Sequence, residues 1–206
     1  MRAPNRLDSL LRKRVVAVER DDIQRVNERM FLVVSDPEGG KDALRLLGAG
    51  EALASRLNAA SARGIATAIR CEIPLIRFTT HLEALLSLDS ARWRIAANTQ
   101  VPGELKSLTA FCLQCAQDLA LRNGVTAMLL FGVTAFTAER LADLAAQDHE
   151  TLSGSERALI QIREADDLLW WDRLLIGERC TGPKALLFAR YAGQQKLDMV
   201  RVSARG

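Results

Sequence analysis

The sequence predicts an all-α fold built from two diverged copies of one helical unit, packed as an internal pseudo-dimer. Three observations predict it. The apolar fraction is 49% but aromatics are only 5%. Leu and Ala dominate, and these favour helices, whereas strands favour β-branched and aromatic side chains. Apolar residues recur at helical spacing along most of the chain. Finally, residues 43–57, ALRLLGAGEALASRL, reappear 84 positions later as residues 127–141, AMLLFGVTAFTAERL.

From Leu11 to Val34 the residues Leu11, Val15, Val18, Ile23, Val26, Met30 and Val33 share a helix face. Ser35-Asp36-Pro37-Glu38-Gly39-Gly40 stops that helix, because Pro and paired Gly make turns. A short helix, Asp42 to Leu47, ends at Gly48. The next runs from Glu51 to Ala60, and Ser61 caps another that reaches Glu72. Pro74 breaks the pattern, so Pro74-Leu75-Ile76-Arg77-Phe78 is expected to be extended. Helical spacing resumes from His81 to Leu86, and residues 98–103 form a loop.

A helix from Glu104 to Arg122 places Leu105, Leu108, Cys112, Cys115, Ala116 and Leu119 on one face. Asn123-Gly124 interrupts it, and Val125 to Phe131 leads to Gly132. Thr134 caps a helix expected to continue through Ala146. Ser153 and Glu156 have capping-box spacing, which predicts a helix through Ile160, Leu169 and Leu175, ended by Gly177. The tail from Thr181 is expected to hold a helix around Leu186 and a loose polar end.

In the repeat, six positions are identical: Ala43/Ala127, Leu46/Leu130, Gly48/Gly132, Ala54/Ala138, Arg56/Arg140 and Leu57/Leu141. Each copy reads as long helix, short helix, Gly, helix, helix. The shared glycine and matching order argue against chance. Each glycine is expected to supply a positive φ or a close approach. The organisation predicted is residues 1–97 for repeat 1 with a basic arm, 98–180 for repeat 2 and 181–206 for a tail. The symmetry is that of a two-fold dimer written into one chain.

The charge balance, 28 basic against 25 acidic side chains, is too even to imply nucleic-acid binding by itself. No run of about 18 apolar residues predicts a membrane span, and the start lacks a signal-peptide core. The expected compartment is the cytoplasm, with reduced thiols and no cofactor. Cys112-x-x-Cys115 lies within an apolar helix face and no second CxxC or nearby His completes a metal site, so it reads as core. His81 and His149 are isolated, Gly39-Gly40 precedes no phosphate-loop Lys, and neighbouring acids such as Asp21-Asp22 and Asp166-Asp167 diverge around a helix. No catalytic or metal-binding constellation is expected, and the chain reads as a regulator, not an enzyme.

The stretch from Ala116 to Arg163 resembles the FlhD family, subunits of the flagellar transcriptional activator. The resemblance lies in Ala116-Gln117, Leu119, Ala127-Met128, Gly132-Val133, Leu141-Ala142, Leu144, Leu152 and the pair Ile162-Arg163. A weaker copy carries Arg29-Met30, Ala43, Gly48, Leu57 and the ending PLIRF, with an insertion at the SDPEGG turn. The similarity covers residues 20–80 and 105–165, and the chain is about twice the family's usual length. Similar activators occur on bacterial conjugative elements. The resemblance implies an all-α intertwined dimer that joins a zinc-binding FlhC-like partner, promoter DNA and RNA polymerase as a homo- or hetero-oligomer. One chain would replace one FlhD dimer, with the metal in the partner.

Candidate DNA contacts follow from charge and position. Arg12, Lys13 and Arg14 lie in a basic N-terminal stretch, and Arg63 and Arg70 lie on the second helix of a possible helix-turn-helix. Arg56 recurs as Arg140; a surface salt bridge is the competing reading for both. In the second copy Asp148 and Glu150 would repel phosphate. Trp170 and Trp171 point about 100° apart on a helix, so one can enter the core while the other stays near the surface as a candidate partner contact; both in the core is the competing reading, and the stronger one. An adaptor or antagonist that never touches DNA is the alternative function.

Overall fold

The computed structural model describes residues 6–88, 93, 101–155 and 157–175, with the backbone alone for 6–19. Among the described residues are nine helices and one two-stranded sheet. Helix α1 spans Arg6–Val34, α2 Gly40–Leu46, α3 Glu51–Asn58 and α4 Ala62–Ile69. Strand β1 is Ile76–Phe78 and α5 is Thr80–Leu86. Then come α6 Gly103–Phe131, α7 Ala135–Ala142, α8 Ala146–Ser153, β2 Ile160–Ile162 and α9 Leu168–Leu175.

Local chemistry explains most boundaries. The Ser61 hydroxyl accepts from Gly64 N at 3.2 Å to open α4, and the Thr134 hydroxyl accepts from Thr137 N at 3.2 Å to open α7. Asn123 is extended (φ −162°, ψ 95°) and breaks α6, while its side-chain oxygen accepts from Thr126 N at 3.2 Å and restarts the helix. Gly48 and Gly132 both lie in the left-handed region, at φ +79° and +68°. A side chain there would crowd its own backbone, so each glycine lets the chain turn from one helix into the next.

Helices α1 and α6 run antiparallel: Asp22 faces Arg122 at 3.8 Å, while the Arg29 guanidinium sits 4.0 Å from the Phe111 ring centroid. The expected α6 face, Leu105, Leu108, Cys112, Cys115, Ala116 and Leu119, is buried throughout. From α1 it meets Ile23, Val26 and Met30, and one continuous core runs from Ile23 to Leu174.

Several boundaries recur at a fixed offset. Helix α7 lies 84 residues after α3, α8 84 after α4 and β2 84 after β1. The strands pair antiparallel with Arg77 opposite Gln161 at the centre. The flanking bonds are reciprocal: Thr79 N donates to Leu159 O at 2.8 Å, and Arg163 N donates to Leu75 O at 2.8 Å. Helix α5 packs on α7, and α9 packs on α3 and α4, so each trailing helix rests on the opposite half.

Three expectations are corrected. Residues 153–175 do not form one helix: Ser153 ends α8, Ile160-Gln161-Ile162 is a strand and the last helix starts at Leu168. The β-branched pair, buried on both sides of Gln161, is captured by β1 across the chain. The helix expected from Thr134 to Ala146 ends at Ala142, and a separate helix, α8, begins at Ala146. Helix α4 stops at Ile69, short of Glu72, because Asn27 claims the carbonyls beyond it. The expected features at Gly177 and Leu186 lie outside the described residues.

Candidate nucleic-acid and partner interface

Helices α3 and α4 form the first helix pair. Gly64, Thr67 and Ala68 of α4 are buried, while Arg63, Ala66 and Arg70 are exposed. That spacing of three and four residues makes one outward strip carrying two guanidinium groups. The corresponding exposed positions on α8 are Gln147 and Glu150, flanked by Asp148, while Gly154, equivalent to Arg70, is buried just past the helix end. The two pairs therefore share a backbone plan but differ in charge, as the sequence predicts.

Arg56 is held differently. Its Nε donates to Asp172 of α9 at 2.6 Å, and Nη1 donates to the Ala52 carbonyl at 3.3 Å. Arg140, at the equivalent place on α7, donates from Nε to the Leu86 carbonyl at the end of α5, at 3.2 Å. Both arginines fasten a trailing helix of the other half, and the surface salt bridge weighed for Arg56 is present. The side chains of Arg12, Lys13 and Arg14 lie outside the described residues.

Trp170 and Trp171 do not divide between core and surface: both are buried, and their rings meet edge-on with centroids 5.2 Å apart. The Trp171 indole donates to the Arg163 carbonyl at 3.2 Å. Helices α3 and α4 both pack against α9, and both rings are covered despite their separation of about 100°. The exposed apolar residue of this helix is Leu169.

Two buried polar residues that sequence reasoning passed over organise this region. Asn27 has no exposure. Its amide donates to the carbonyls of Ile69 (3.3 Å) and Ile73 (3.2 Å), and its oxygen accepts from Leu75 N at 2.7 Å. It thereby ties α1 to the segment leaving α4. A lone Asn between Val26 and Met30 on an apolar face was the available signal. Arg163 donates from Nε to the Pro74 carbonyl at 2.9 Å and from Nη2 to the Leu130 carbonyl. Burial pulls its pKa down to about 10. The Ile162-Arg163 pair was visible only as part of a resemblance.

The described thiols behave as core residues. Burial pushes the Cys71 thiol up to about 11 and Cys115 to about 12, and raises Cys112 strongly. Cys180 lies outside the described residues. Burial lowers both His81 and His149; the Arg157 charge adds to the shift at His81. Among the described residues no cluster of three or more His, Cys, Asp or Glu could hold a metal ion, and no helix is long and apolar enough to cross a membrane.

Comparison with protein-family models, with curated proteins and with solved structures returns no match.

Proposed function

We propose that the chain is a subunit of a transcription activator, made of two FlhD-like units in tandem. It is cytoplasmic, is not an enzyme, and acts with an FlhC-like partner on promoter DNA and RNA polymerase. The observation that carries this reading is the reciprocity of the two halves. The strands pair about equivalent residues, Arg77 and Gln161, and the trailing helices exchange between halves. That is how an intertwined dimer would look with its subunits joined. The exposed strip Arg63–Arg70 is the DNA-facing candidate, with Arg12, Lys13 and Arg14 adding phosphate contacts.

A second reading is favoured by specific residues. The carboxylates on α8 and the engagement of Arg56 with Asp172 reduce the free basic surface. Under that reading the chain is an adaptor or antagonist that binds a regulator and leaves DNA alone.

Binding to the protein's own upstream promoter fragments, measured with and without an FlhC-like neighbour, separates the two. The activator reading expects specific binding only with the partner, weakened several-fold by Arg63→Ala with Arg70→Ala. Capture of the partner with no DNA bound in either case leaves the adaptor.

A further inference from the structure

The two helix pairs repeat at one offset yet carry opposite charge. Helix α7 lies 84 residues after α3, and α8 lies 84 after α4. Residues 51–70, which span α3 and α4, hold Arg56, Arg63 and Arg70 against one carboxylate, Glu51. Residues 135–154, which span α7 and α8, hold Arg140 against Glu139, Asp143, Asp148 and Glu150. Ion pairs do not erase the contrast. Asp172 meets Arg56 at 2.6 Å, and Lys106 stands 3.8 Å from Glu150. With both counted, the first surface still has an excess of positive charge and the second an excess of negative charge. Glu72, the carboxylate that follows α4, is met by Arg20 at 3.2 Å.

The strands between these pairs cross antiparallel, with Arg77 opposite Gln161 at the centre. A two-fold protein of this kind ordinarily offers two like helices to DNA and reads an inverted repeat. Here the equivalent exposed positions are unlike: Ala66 on α4 corresponds to Glu150 on α8, and Arg63 corresponds to Gln147. Carboxylates repel phosphate, and guanidinium groups release its counterions. A duplex laid across both pairs would gain charge contacts at one end and lose them at the other. A duplex set against α4, off the axis between the halves, keeps the gain and avoids the loss.

We propose that each chain meets DNA through α4 alone, so that the sequence it helps to read is a single half-site with no dyad of its own. Arg63, Ala66 and Arg70 face the duplex, and the α7–α8 surface is turned away from it. The proposal rests on the activator reading and adds the form of the target to it.

The test uses the full-length chain with its FlhC-like partner and a duplex from its own upstream promoter. A photoreactive benzophenone amino acid is placed at Ala66 or at the equivalent Glu150, both exposed. The proposal expects a DNA product from position 66, none from position 150, and one labelled patch of bases per bound chain. Arg63→Ala with Arg70→Ala should lower the slope of log affinity against log salt by about two. Asp148→Asn with Glu150→Gln should leave affinity within about twofold, because exposed charges more than a Debye length from phosphate are screened. Products from both positions, or a clear gain in affinity on neutralising α8, would overturn the single half-site and leave the activator reading standing. DNA bound with no product from position 66 would also overturn it, placing the contacts in the partner. No DNA bound by the complex would remove the activator reading itself, and the half-site with it.

Discussion

Asn27 shows how much one buried polar side chain decides. It closes the end of α4 and the approach to β1 at once, through the Ile69 and Ile73 carbonyls and Leu75 N. Asn27→Leu keeps a similar volume but leaves those groups buried without partners. The expected cost is roughly 2–4 kcal/mol, read as a lower urea midpoint; a change under about 0.5 kcal/mol would remove Asn27 from this role. The thiols set a pH dependence. Their folded pKa values lie above the ordinary 9.0, at about 11 for Cys71 and about 12 for Cys115. The folded chain therefore holds protons that the unfolded chain releases. This contribution is complete below pH 9 and is lost as pH rises through the folded values. Arg163, lowered to about 10, acts in the opposite sense above that pH. Between pH 9 and 10 the thiols act first, and unfolding free energy should fall with pH. Cys71→Ala with Cys115→Ala should flatten that slope in urea titrations; an unchanged slope contradicts the burial argument.

At the scale of elements, the two left-handed glycines make a matched pair. A Cβ on Gly48 meets nothing within 4 Å, and one on Gly132 makes only ordinary contact with Arg77. Substitution at either therefore costs backbone strain alone, about 1 kcal/mol for Gly48→Ala and for Gly132→Ala. Gly40 is the contrast: a Cβ there would lie 2.5 Å from the Val34 carbonyl oxygen. Gly40→Ala should cost more than either, although its φ is ordinary, because the turn out of α1 must open. Thermal melts of the three variants give the order directly, and an equal loss for all three would contradict it. Ser61→Ala and Thr134→Ala should each cost about 1 kcal/mol by removing matching caps.

For the whole molecule, the decisive feature is that the last described helices of the two parts of the chain pack across onto the other part. Helix α5 rests on α7, α9 rests on α3 and α4, and β1 completes its sheet only with β2. A protease site placed between residues 88 and 102 should therefore yield two fragments that still co-elute at the size of the intact chain. Fragments that separate without denaturant would show that the halves are independent, and would remove the intertwined arrangement from the proposed function.

Much of this was legible in the residues. Helical spacing located α1, α6 and the short helices α2 to α5 and α7, Ser61 and Thr134 marked caps, Gly48 and Gly132 marked the turns, and the apolar face around Cys112 and Cys115 became core. The basic strip at Arg63 and Arg70 is exposed as its place on α4 suggests. These features depend on neighbours within a few positions, where spacing and side-chain chemistry act directly. Other outcomes needed the fold. Ile160-Gln161-Ile162 becomes a strand because β1 lies beside it, and Arg56 is drawn to Asp172, 116 positions away. Both tryptophans are buried where α9 packs on α3 and α4. Each of these outcomes depends on contacts between distant parts of the chain, whose energies can outweigh local propensity and which spacing along the sequence does not contain.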